Sequence, residues 1–156
     1  ALSLVKIPFK VVAIRYGRDA KRAEKLVGDL GLDVKFIDKV LHEDMNQLYW
    51  GSDIVLGSFG VGQLDTVAIE AMACGRAVVH HIRKRFYPLC PLEEFTSVEE
   101  VSEDITRLLT DEKETEKRIQ VQLRYINATH SASLLAEKLA KIYYELACSS
   151  LQSSNE

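Results

Sequence analysis

The stretch VGQLDTVAIEAMACGRAVV, Val61 to Val79, carries one acidic side chain between Thr66 and Gly75, that of Glu70. Its neighbours in AIEAMACG are apolar or small. Two readings fit a lone carboxylate in such a helix. It reaches solvent, because helices commonly keep one polar edge. Or it faces a ligand, and a carboxylate is suited to accept hydrogen bonds from the two hydroxyls of a ribose. The preceding residues bear on the second reading. SFGVGQ is a glycine-bearing loop that runs into the helix start, with Asp65 as candidate N-cap. Such a junction offers free backbone N–H groups and the positive end of a helix dipole, an anion site of the kind that takes phosphate.

Other chemistry-bearing residues follow the strands. His80 and His81 are adjacent. Neighbours on a strand point to opposite faces, so the pair is poorly placed to ligate one metal ion. One of them can line a crevice at the strand end. Arg83, Lys84 and Arg85 either meet phosphate or an acceptor, or stay in solvent as surface charge usually does. Gly17 and Arg18 follow the first strand, and Arg18 faces either a nucleotide or water. Trp50 at a helix end is expected to pack. Asn127-Ala128-Thr129 matches a glycosylation triplet, with no secretory signal to support it. GxGxxG, GxxxxGK[ST] and GxSxG are absent.

The elements that must position these residues are legible from periodicity. Phe9 to Arg15 is a near-continuous apolar run and reads as a strand buried on both faces. Asp19 to Leu30 has helical spacing, with Gly31 as its C-cap. Val34 to Ile37 is a second strand, and Met45, Leu48 and Tyr49 mark a helix that Gly51 ends. Ile54 to Leu56 is a third strand, Thr66 to Cys74 a helix, and Ala77 to His80 a fourth strand. Alternating strands and helices with short connections predict a Rossmann-like α/β fold, a parallel sheet of about four or five strands flanked by helices. HIRKRFYPLCPLEEF reads as loop. Ser97 with Glu100 forms a capping box for the next helix. Two more helices are expected, about Asp111 to Asn127 and Ser131 to Ala147, with residues 148–156 as a flexible tail.

In open parallel sheets, ligands bind outside the carboxyl ends of the strands. The residues after the third strand, Gly57 to Asp65, are the richest such segment. The 156 residues suit one domain, nearly half hydrophobic and with a net charge of −3, which gives no bias toward nucleic acid or membrane. No apolar run is long enough to span a bilayer. Cys74, Cys90 and Cys148 are odd in number and form no CxxC, which favours a reducing, cytoplasmic setting. The opening ALSLVKIP reads like the tail of an earlier element, so a fragment of a two-lobe protein is expected.

LYWGSDIVLGSFGVGQLDTVAIEAMACGRAVV resembles the donor-binding segment of GT-B-fold retaining glycosyltransferases of the glycogen-synthase-like group (glycosyl transferases group 1). Tyr49, Ser52, Asp53, Ser58, the run Glu70 to Gly75, Val78 and Val79 fit its pattern. KVVAIRYG and LGLDVKFIDKVLHEDMNQLY fit the family's upstream order, so the likeness covers about Phe9 to Val79. The resemblance implies the C-terminal lobe of a two-lobe enzyme that transfers a hexose from a nucleotide-sugar. It implies that Glu70 holds the ribose hydroxyls and that the backbone near Val40 meets the base. It places the diphosphate and sugar along Gly60 to Val67, which includes Gly62, Asp65, Thr66 and Val67.

By the same resemblance no prosthetic group or metal is expected, because helix N-termini and basic groups neutralise the leaving diphosphate. An N-terminal acceptor-binding lobe, absent before Ala1, is the implied partner and the part that would meet a membrane. Two residues depart from the pattern. Gly62 stands where the family has a glutamate on the donor sugar, and Asp65 where it commonly has glycine beside the diphosphate. A carboxylate at Asp65 repels phosphate unless it turns away as a helix cap. This lobe alone is expected to bind donor weakly and not to transfer sugar. The alternatives are a sugar-nucleotide epimerase of the same fold, or a degenerate nucleotide-binding module without catalysis. A phosphoacceptor receiver domain is disfavoured, because Arg15-Tyr16-Gly17 and Gly57 stand where its acidic residues would be.

Overall fold

The computed structural model describes the backbone of residues 1–153 and the side chains of residues 1–147. Strand β1 (Val11–Ile14) pairs in parallel with β2 (Val34–Ile37), and β3 (Ile54–Leu56) pairs in parallel with β4 (Ala77–Val79). Helices α1 (Ala20–Asp29), α2 (Met45–Trp50) and α3 (Thr66–Ala73) connect them. Helices α4 (Val98–Thr110), α5 (Glu112–Thr129) and α6 (Ala132–Ser153) follow. The α/β fold with parallel strands is as expected, but the strands form two hydrogen-bonded pairs rather than one continuous sheet.

Strand β4 carries the core. Ala77, Val78 and Val79 are all fully buried, and their side chains alternate between faces. Val78 joins Ala68, Ala71 and Met72 of α3, together with Tyr49, Ile82, Leu92 and Ile126. Ala77 and Val79 join Val5 and the apolar face of α4, Val101, Ile105 and Leu108. A three-residue strand can anchor both clusters because the near-continuous apolar run leaves no polar side chain to exclude from either face.

Among the described residues, no strand pairs with the edge of β4 away from β3. Gln122 of α5 takes that place: Val78 N–H donates to its Oε1 at 3.1 Å, and its Nε2 donates to the Val78 carbonyl at 3.1 Å. One buried amide thus satisfies both backbone groups that the edge would otherwise orphan. Nearby, α4 and α5 are tied by Arg118, which donates to both oxygens of buried Asp104 at 2.8 and 3.2 Å. Arg107 reaches the same carboxylate.

Three expectations need correction. The first strand is not buried on both faces: no residue of β1 is fully buried, and Val12 is 56% exposed. The physical reason is that α1 covers it thinly, with Leu26 and Leu30 themselves exposed. Trp50 is 55% exposed rather than packed. The last helix runs past Ala147 to Ser153; residues 154–156 of the expected tail lie outside the described residues. The Ser97–Glu100 capping box is formed as expected, with Glu100 N–H on Ser97 Oγ. Glu100 also accepts from Thr96 N–H and Oγ. Among the described residues no helix is long and apolar enough to cross a membrane.

Replacing Gln122 with Leu keeps the volume but leaves the Val78 N–H and C=O buried and unpaired. A loss of about 2–3 kcal/mol is expected from the denaturant midpoint. Gln120→Leu, on the exposed side of the same helix, should stay within about 0.5 kcal/mol.

Candidate functional site

The loop between β3 and α3 is fixed by a buried histidine. His80, at the end of β4, is fully buried. Its Nδ1 accepts from Ser58 N–H at 2.9 Å, so that nitrogen carries no proton. The proton is then on Nε2, which donates to the Gln63 carbonyl at 2.7 Å. One neutral ring therefore bridges both ends of the glycine loop. Backbone bonds run alongside: Gly57 N–H to the Val79 carbonyl, His81 N–H to Ser58, and Arg83 N–H to Gly62. Both His80 nitrogens are spent on backbone, so the ring has none left to offer a phosphate or an acceptor. It acts through the loop.

The glycines make room for this arrangement. A Cβ on Gly57 would fall within the His80 ring. Gly62 has φ +72°, and a Cβ there would stand 2.7 Å from Arg83 Cγ and 3.3 Å from Arg83 Nε. The Arg83 side chain therefore lies along Gly62 as far as its guanidinium. It makes no ion pair among the described residues, and it is exposed. Gly60 is open on its side-chain face.

Asp65 is the N-cap of α3, with Oδ1 accepting from Ala68 N–H at 2.8 Å. Its carboxylate is turned into the helix start, and its Oδ2 lies 3.7 Å from His80 Nδ1. Ile69 N–H goes to the Asp65 carbonyl. The N–H groups of Thr66 and Val67 remain without an intrahelical partner, as the first residues of a helix must. Both residues are exposed.

Glu70 lies one turn further on, and its side chain is only 26% exposed. Tyr49, buried on α2, donates its phenol to Glu70 Oε2 at 2.9 Å. His42, in the turn after β2, places Nδ1 3.6 Å from Glu70 Oε1. The carboxylate therefore sits where α2, α3 and the segment after β2 converge. That segment holds Val40, which is partly buried. Burial first, and then the bond to Glu70, keep the Tyr49 proton on well above the ordinary tyrosine range.

The loop after β1 is more loosely connected. Gly17 turns the chain with φ +88°. Arg18 is exposed and makes no hydrogen bond or ion pair among the described residues. Arg15 instead pairs with Glu24 and Asp38, and Lys39 lies over the Tyr16 ring. The loop after β1 thus meets the segment after β2, but no polar contact carries it to Glu70. Sequence reasoning missed the Tyr49 phenol as the partner of Glu70, although helical spacing puts Tyr49 on the inner face. It also missed His42 and Gln63, for which residue type gives no signal, and it placed Ser58 in the family pattern without its backbone bond to His80.

The parallel strands, the loop at their carboxyl ends and the helix that follows it define a class: a Rossmann-like α/β lobe. The chain matches the Glycosyl transferase-like family over residues 1–141 and belongs to that family. Sucrose-phosphate synthase from Thermosynechococcus elongatus superposes with a TM-score of 0.77 at 21% identity over 95% of this chain. This chain spans 41% of that protein's length. The catalytic domain of cholesterol-alpha-glucosyltransferase from Helicobacter pylori superposes with a TM-score of 0.67 at 20% identity. That match covers 82% of this chain and 86% of the other. At these identities the likeness is one of fold. A comparison with curated proteins gave no match.

Two outcomes test the site's construction. Gly57→Ala should cost about 2 kcal/mol by driving a methyl into the His80 ring, whereas Gly60→Ala should stay within about 0.5 kcal/mol. Thermal or denaturant unfolding separates them. Tyr49 has a raised native pKa, so its contribution to stability is fully present below the usual tyrosine value of about 10. That contribution is lost as pH rises through the native value. In an absorbance titration, Tyr49→Phe should therefore remove one late-ionising tyrosine.

Proposed function

We propose that this chain is the donor-binding lobe of a glycosyltransferase that moves a hexose from a nucleotide-sugar to an acceptor. The observation that carries the reading is the placement of Glu70. A partly buried carboxylate, held by Tyr49, stands one turn inside a helix whose first N–H groups are unspent. Diphosphate would lie against the Thr66 and Val67 N–H groups, over Gly60 and Gly62. The ribose would lie on Glu70, and the base along the segment that contains Val40. Arg83, laid over Gly62, would offer its charge to the leaving diphosphate. Gly17 and Arg18 would border the nucleotide from the loop after β1.

Under this reading the transfer uses no prosthetic group and no metal, since helix dipole and guanidinium supply the positive charge. A second, acceptor-binding lobe completes the enzyme, in keeping with the 41% of sucrose-phosphate synthase that this chain spans. Its setting is cytoplasmic, with that second lobe as the part that reaches a membrane. Charge-assisted hydrogen bonds of the kind a carboxylate makes to a diol are worth about 1.5–3 kcal/mol each.

Calorimetric titration of the full-length protein with UDP-, GDP- and ADP-sugars tests the reading. One of them should bind, and Glu70→Ala should weaken it by roughly tenfold or more. Affinity indifferent to Glu70, or no binding at all, contradicts it. Transfer of the sugar to an acceptor, rather than an epimerised nucleotide-sugar, should be the product.

A further inference from the structure

Glu70 has a partner that the ribose reading does not by itself require. Tyr49 Oη donates to Oε2 at 2.9 Å, and Tyr49 is 4% exposed. Its ring is part of the core cluster with Ala68, Ala71 and Met72. A glutamate has three rotatable side-chain bonds, and one at a helix edge ordinarily samples several rotamers. Here a rigid aromatic ring fixed in the core fastens one carboxylate oxygen. The second oxygen, Oε1, is left toward the segment after β2, where His42 Nδ1 stands at 3.6 Å.

We propose that Tyr49 is a positioning residue: its phenol fixes the Glu70 carboxylate in the orientation that accepts a vicinal diol, so that the site selects ribonucleotides over deoxyribonucleotides. This rests on the reading of Glu70 as the ribose ligand. A phenol in this contact can only donate, because the carboxylate has no proton to give. Glu70 consequently presents lone pairs alone to its ligand, and its proper partners are hydroxyl donors. Losing the phenol leaves the carboxylate in place but free to turn. The cost falls most on ligands that bring both hydroxyls and less on those that bring only one.

The experiment is a comparison of UDP, GDP and ADP with their 2′-deoxy counterparts, by calorimetry on the full-length protein. The wild type should prefer the ribo form of the nucleotide it binds by roughly tenfold. Tyr49→Phe should weaken the ribo form about fivefold, weaken the deoxy form, which keeps its 3′-hydroxyl, by about twofold at most, and so remove much of the preference. Glu70→Ala should abolish the preference, and adding Tyr49→Phe to it should change nothing further. If Tyr49→Phe keeps the wild-type preference while Glu70→Ala loses it, the positioning role is overturned and the ribose reading stands. If Glu70→Ala also keeps the preference, or no nucleotide binds, both fall together. Should Tyr49→Phe fail to fold, 3-fluorotyrosine placed at position 49 keeps the ring and its hydroxyl. Its fluorine resonance should then shift more with the ribo than with the deoxy nucleotide, and equal shifts would overturn the proposal.

Discussion

A single neutral imidazole organises the candidate site. His80 accepts a hydrogen bond from Ser58 N–H and donates one to the Gln63 carbonyl, and it does so with no exposure to water. Inside a protein such bonds cannot be exchanged for solvent, so breaking either strands a buried polar group. The glycine loop is therefore held at both ends against the last residue of the core strand. Gly57 exists in this register because any larger residue would occupy the ring's space. The loop delivers the chain to Asp65, and Asp65 starts α3. Glu70 inherits its position from that start.

The rest of the fold keeps β4 where His80 needs it. Val78 is clamped by Gln122 in place of another strand. α5 is in turn fixed to α4 through the Arg118–Asp104 pair. Removing one partner of such a buried pair typically costs about 3–5 kcal/mol, because the other charge is left uncompensated. Among the buried polar side chains of this half, His80 and Gln122 hold backbone, while Arg118 and Asp104 hold each other. By contrast the β1–α1–β2 unit is half-buried and contributes to the site mainly through the segment after β2. The His42–Glu70 approach is one place where the segment after β2 meets α3.

Much of this was legible in the sequence, for identifiable reasons. The strands and helices through β4 follow hydrophobic period, and the Asp65 and Ser97 caps follow residue type. Glu70 stood out because it is charged in an apolar helix. Its partner did not, since a tyrosine at helical spacing reads as core, and Tyr49 is in fact both core and the hydrogen-bond partner of Glu70. His80 was legible as a strand-end residue but not as a loop brace. Its partners are main-chain atoms, which carry no sequence signature. The same holds for Gln122, whose amide takes the place of a further strand at the edge of β4. The expected burial of β1 failed because an apolar run reports what a strand can bury, not whether a neighbouring helix covers it.

We propose that the crevice between the loop after β3 and the segment after β2 holds a nucleotide by its ribose. A crystal structure of the full-length protein with its nucleoside diphosphate tests this most directly. The account predicts the two ribose hydroxyls within hydrogen-bonding distance of the Glu70 carboxylate, with Tyr49 still on Oε2 and phosphate at the Thr66 and Val67 N–H groups. A nucleotide bound elsewhere, or one bound here with its ribose turned away from Glu70, would contradict it.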